Sequence, residues 1–218
     1  MPVSMPVFQR FPVEAEIIGR LVVGYGELEL DLCNCIAMWN NFNDSFKIMF
    51  STRSETKRIN IAETLGRELY AKLTLGNCFD EAITGMRYCV LVRNQYAHRS
   101  FLENKGVLAF VNLEEPAKRE ETVNDLNDLL SSTVWHVTST LLTEQERYFV
   151  SVRGKIRFLH YEGRLRSRKI KVNPFDPPEK LVQPPPLALD VESLRSDKPL
   201  HMGNDAGTIR RTSRRSHP

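Results

Sequence analysis

The chain has 218 residues, 41% hydrophobic and 26% charged, with a formal net charge of +3. That balance supports a buried core and excludes collagen-like, mucin-like and wholly disordered classes. No run of 18 apolar residues exists, so no membrane-spanning helix is expected.

The charge is unevenly placed. Residues 1–150 hold 15 Lys and Arg against 20 Asp and Glu, a net of −5, while residues 151–218 hold 15 against 7, a net of +8. An acidic body with a basic tail points to an anionic partner, most commonly nucleic acid, or to a tail that is simply solvated. The first residues lack a basic stretch followed by an apolar one, so export is not expected. The four cysteines are too few and too irregular for a disulfide scaffold, which predicts a reduced, cytoplasmic protein.

Residues 1–13 contain three prolines and read as an extended lead-in. A first helix is predicted over 14–39, because Ile18, Leu21, Tyr25, Leu28, Leu32, Ile36 and Trp39 recur at steps of three and four. A second helical region runs from Asp44, a suitable N-cap, toward Leu73, with the polar run Ser51 to Arg58 as an interruption and Gly76 as its C-terminal stop. A third helix spans 79–100 and is apolar nearly all round, as expected for a helix buried by several neighbours or by a second subunit. Residues 102–111 read as a hairpin turning at Asn104-Lys105-Gly106. A fourth helix is predicted over 118–149 from the stripe Val123, Leu126, Leu130, Val134, Val137 and Leu141.

Beyond Ser151 the texture changes. Residues 153–171 hold eight cations and one acid, and six prolines between Pro174 and Pro186 forbid regular helix or central strand. The segment ending at Arg210 to Arg215 is short, basic and expected to be disordered. The predicted organisation is therefore all-α: a lead-in (1–13), an antiparallel four-helix bundle with a small hairpin excursion (14–150), a basic extension (151–171) and a disordered Pro-rich basic tail (172–218).

Within the third helix, Arg93, Asn94 and His98 interrupt the most hydrophobic stretch of the chain. At 100° per residue Asn94 and His98 share one face, and Arg93 lies about 140° from His98. A buried, unpaired guanidinium costs several kcal/mol, so Arg93 needs an acid, a carbonyl, a phosphate or a wet cleft. One reading has Arg93 and His98 tying helices together through acids such as Glu27, Glu29 or Asp31. Those three acids read otherwise as a solvated outer face.

The pattern Arg93-Asn94-x-x-x-His98 resembles the Arg-polar-x-x-x-His signature of the HEPN superfamily (higher eukaryotes and prokaryotes nucleotide-binding domains), whose members are small helical bundles. The resemblance covers residues 14–150 as a helical pattern and residues 93–98 as a motif. Many members are dimeric, metal-independent endoribonucleases, toxin-like, in bacterial stress or defence. No membrane partner is expected from the sequence. The resemblance implies RNA as substrate, a homodimer, no cofactor and no metal. It assigns phosphate binding to Arg93, acid/base chemistry on the 2′-hydroxyl and phosphorus to His98, and an orienting role to Asn94. Histidine suits proton transfer near pH 7 and arginine suits phosphate because its fork donates two parallel hydrogen bonds. In one toxin group a tyrosine two residues after the motif histidine is modified by a nucleotidyltransferase. That position is Ser100 here, so this regulation does not carry over. The alternative is an inactive HEPN-like bundle that binds a protein or a nucleotide.

Elsewhere, Val152 to Tyr161 mixes cations with aromatics, and Arg153, Lys155 and Arg157 are the candidate RNA contacts, against a solvated basic face. Cys33 and Cys35 point about 200° apart on a helix and lack zinc-ligand spacing, so buried thiols are expected. His136 reads as a structural histidine. No phosphate-binding glycine loop, dinucleotide fingerprint or nucleophile elbow is present.

Overall fold

A computed structural model describes residues 6–38, 41–111, 134–180 and 182–185. Among them the chain is mostly helical, with six helices and one small antiparallel sheet. The helices are α1 (Val7–Arg10), α2 (Pro12–Ile36), α3 (Phe42–Phe50), α4 (Glu55–Lys72), α5 (Gly76–Ala97) and α6 (Ser139–Arg166). The strands are β1 (Ser100–Asn104), β2 (Val107–Val111) and β3 (Val134–His136), in the order β1-β2-β3. No helix among the described residues is long and apolar enough to cross a membrane.

The expected lead-in is helical in its described part. Pro6 already has the helical φ of −58°, and Pro12 opens α2 at a position where its missing N–H costs nothing. Phe8 packs on Phe101 at 5.1 Å between ring centroids, which ties α1 to the hairpin. In α2 the predicted stripe from Ile18 to Ile36 is buried.

The second helical region divides in two. Asn41, not Asp44, caps α3 by accepting the Asp44 N–H at 2.9 Å, and Ser54 caps α4 by accepting from Lys57 at 3.3 Å. Between them Thr52 accepts the Ser54 N–H, a local bond that competes with helix. The α4 stop is Thr74 rather than Gly76. Thr74 takes a left-handed φ of 57°, and the N–H of Leu75 reaches back to the Tyr70 carbonyl at 2.8 Å, a Schellman closure. Gly76 opens α5 instead.

The hairpin turns where expected, with Lys105 and Gly106 at positive φ (51° and 79°), as a two-residue turn of this hand requires. The helix expected over 118–149 differs. Val123, Leu126 and Leu130 lie outside the described residues. Val134 to His136 form a strand on β2, with Phe110 facing Trp135 and Val111 facing Val134. A helix begins at Ser139, capped by Thr138. Short runs of Val and Trp satisfy both periods, and here the open edge of β2 decides. That helix, α6, then crosses the boundary expected at residue 150 and continues to Arg166, so most of the supposed basic extension is core helix.

Cross-helix contacts give the directions. Along α2 and α6 they advance together: Arg20 to Glu146, Asp31 to Arg153 and Arg157, Asn34 to His160. The α2–α4 pairs Glu29–Arg58 and Cys35–Tyr70 do the same. Along α5 they run oppositely to α4 (Arg93 to Glu55, Arg87 to Glu63) and to α6 (Glu81 to Lys155, Tyr96 to Gln145). Helices α2, α4 and α6 therefore share one direction and α5 opposes them, which departs from the antiparallel order expected throughout. The end of α6 reaches the α4–α5 corner, where Arg166 donates to the Leu73 carbonyl at 2.6 Å.

Past residue 172 the described residues, 173–180 and 182–185, form no helix or strand, as the prolines require, yet several of them touch the helices. Phe175 packs on Tyr161, and the Pro185 carbonyl accepts from Tyr88 at 3.2 Å and Gln145 at 3.1 Å. The Arg210 to Arg215 run lies outside the described residues.

Candidate functional site

Tyr96 sets the geometry at the end of α5. It is buried, donates to Gln145 Oε1 at 2.7 Å and packs edge-on against Phe110. With Tyr96 facing the core, a 100° turn per residue puts Arg93 about 60° away and Asn94 about 160° away. Arg93 and Asn94 are both half-buried, and His98 is exposed. The helix ends at Ala97, and His98 is the residue just beyond it, its N–H bonded to the Asn94 carbonyl at 3.3 Å.

Arg93 Nη1 donates to Asn94 Oδ1 at 2.8 Å and stands 3.4 Å from Glu55 Oε1 in the first turn of α4. The Arg93 and Glu55 side chains are 25% and 26% exposed. Behind Glu55, Glu29 is buried and accepts from Arg58 Nη1 at 2.8 Å. Burial pushes the Glu29 carboxyl up, against the pull of Arg58. Burial, then the charges of Glu29 and Glu55, raises the nearby Tyr25 hydroxyl. The His98 ring makes no hydrogen bond among the described residues. Of the acids proposed to hold Arg93, none does so. Glu29 serves Arg58, and Glu27 and Asp31 serve α6.

The α6 cations are built into helix packing. Arg153 pairs with Glu27 at 2.5 Å and Asp31 at 2.9 Å, and Arg157 shares the same Asp31 oxygen at 3.0 Å. Lys155, 2% exposed, points the other way and pairs with Glu81 on α5. Glu81 precedes Arg93 by twelve residues, about 18 Å of helix, so this group does not join the α5 end. Arg153, Lys155 and Arg157 thus form no open basic face, and Glu29 is no part of a solvated acidic one.

Cys33 and Cys35 are buried, and burial pushes the Cys35 thiol, 2.8 Å from the Tyr70 hydroxyl, up to about 12. His136 is half-buried in β3. The sequence reading missed Glu55, Arg58 and the exposed aromatics of α3. A signal was present in Phe42, Phe46 and Phe50 at steps of four, with cations between and after them. Compared with protein-family models, curated proteins and solved structures, the chain gives no match.

Proposed function

We propose that the chain is a metal-independent endoribonuclease of HEPN type, acting on single-stranded RNA as a homodimer. The observation that carries this is the exposed His98 just past the end of α5, its N–H on the Asn94 carbonyl, with Asn94 in turn accepting from Arg93. His98 removes the proton of the RNA 2′-hydroxyl as its oxygen attacks the adjacent phosphorus. The second subunit's copy protonates the leaving 5′-oxygen. Arg93 neutralises the phosphate, and Asn94 holds the guanidinium. The Arg93–Glu55 pair does not oppose this. Between partly exposed side chains at 3.4 Å it is worth about 0–1 kcal/mol, which a phosphodiester can replace. The reading rests on residues 93–98 and not on the helix order, because α2 and α6 run in the same direction.

The test is incubation of the purified chain with single-stranded RNA in EDTA. Cleavage is expected to fall about 10²–10⁴-fold in His98→Ala and to be lost in Arg93→Ala. EDTA-sensitive cleavage, or none, overturns the reading. The Arg93–Glu55 contact favours a second reading, a HEPN-like module that binds without cutting. It predicts that Arg93→Ala lowers stability by about 1 kcal/mol or less and that no RNA is cleaved.

A further inference from the structure

Helix α3 lays three aromatic rings along one face. Phe42 and Phe46 stack at 6.1 Å and 23°, Phe46 and Phe50 at 5.1 Å and 30°, and the Arg58 guanidinium lies 4.8 Å over Phe50. Ser45 and Met49, centred about 80° round the helix from this column, are buried against the core. Phe42 and Phe46 remain 46% and 43% exposed. Three exposed cations lie in the same stretch of chain: Lys47 on α3, Arg53 in the turn and Lys57 in the first turn of α4. None has an ion-pair partner among the described residues. The two acids of the segment are engaged, Asp44 with Asn41 and Glu55 with Arg93. Residues 41–58 thus carry four cations and two acids within a stretch, residues 1–150, whose net charge is −5.

Exposed rings interleaved with unpaired cations match one chemistry, a strand that offers base faces and phosphates together. We propose that α3 and the α3–α4 turn bind single-stranded nucleic acid. Bases stack on Phe42 and Phe46, and Lys47, Arg53 and Lys57 track the backbone. A duplex presents no free base face to these rings. A second copy of the chain fits poorly. A two-fold interface through this face would bring the two sets of cations together, and the exposed part of a nine-residue helix is far below the roughly 800 Å² per partner of a stable interface.

The site connects to the α5 end. Arg58 closes the aromatic column, and Glu55, which holds Arg93, lies one turn earlier on α4. A strand stacked along α3 is thereby delivered toward Arg93 and His98. Only this delivery rests on the ribonuclease reading; the binding does not.

The experiment is fluorescence anisotropy of the full chain with a labelled 2′-O-methyl RNA of about 15 nucleotides, within the range of single-strand site sizes. This probe lacks the attacking hydroxyl, so binding is read without cleavage. Phe46→Ala and Phe46→Leu are each expected to weaken binding by about 5- to 150-fold, and the leucine variant keeps an apolar side chain on α3. Lys47→Glu with Arg53→Glu should reduce the slope of log affinity against log salt by about 1.4. Duplex RNA should compete poorly. Equal binding by the wild type and both Phe46 variants overturns the proposal, as does no binding by the wild type. Loss of a dimer in Phe46→Ala by light scattering, with RNA affinity kept, assigns the face to a second copy and also overturns it. A chain that binds through α3 but cuts no RNA upholds this site and defeats the ribonuclease reading. Cleavage with Phe46→Ala affinity unchanged does the reverse.

Discussion

The cations of α6 and those around α3 carry the same charge and meet opposite surroundings. Arg153, Lys155 and Arg157 sit where α6 packs against α2 and α5, and each is answered by a carboxylate from a helix more than 70 residues away in sequence. Lys47 and Arg53 sit on the short α3 and the turn after it, and Lys57 sits in the first turn of α4, all exposed and with no ion-pair partner among the described residues. A basic run on a long helix is therefore weaker evidence for an RNA contact than a few cations on a short element that nothing covers. Burial explains the difference. A cation at a helix interface must be paired or it costs several kcal/mol, whereas one in water needs no partner.

Three measurements sharpen the contrast. The largest effect is expected at Lys155, whose ammonium is buried. Glu81→Ala leaves it without its carboxylate and should lower unfolding stability in urea by about 2–3 kcal/mol. That is below the 3–5 kcal/mol of fully buried pairs, because Glu81 is half exposed. A loss under 0.5 kcal/mol would show that Lys155 finds water and belongs with the α3 group. Next, Arg153→Ala and Arg157→Ala should each cost about 0.5–1 kcal/mol and leave RNA affinity unchanged. A drop in affinity without a drop in stability would erase the distinction between the two groups.

The smallest effect concerns His160, one turn beyond Arg157, whose Nδ1–H donates to the Asn34 carbonyl at 3.0 Å. Burial, followed by the nearby Arg164 charge, holds its pKa below the usual value of 6.5. The folded state then binds a proton less readily than the unfolded one. Its contribution to stability is complete above about pH 6.5 and is lost as pH falls through that value toward the lower folded pKa. Stability measured from pH 7 downward should show this decline, and His160→Gln should flatten it. An unchanged slope in the variant would place His160 in the same open surroundings as the α3 cations.

Much of the helical framework is legible in the sequence because it is local. The stripe from Ile18 to Ile36 and the turn at Lys105-Gly106 each depend on residues a few positions apart. The division at Ser51 to Ser54 is visible as a polar run, though the cap falls on Asn41 and not on Asp44. The third strand is not legible, because Val134-Trp135-His136 is compatible with helix until β2 offers it an edge. Nor is the shared direction of α2 and α6, which rests on pairs such as Arg20 with Glu146. At the α5 end, Arg93's need for a polar partner follows from its neighbours. That the partner is Glu55 depends on how α4 packs, and no spacing rule contains it.

Helix α6, with 28 residues, is about 42 Å long and is fastened two turns from its start, through Glu146 to Arg20, and at its last residue, through Arg166 to the carbonyl of Leu73. It works as a measuring rod between the two ends of the helical layer. A single residue inserted near its middle would advance one half by 1.5 Å and rotate it by 100°, so both attachments could not survive together. Exchanged side chains along this rod are tolerable where they face water; a change in its residue count is not.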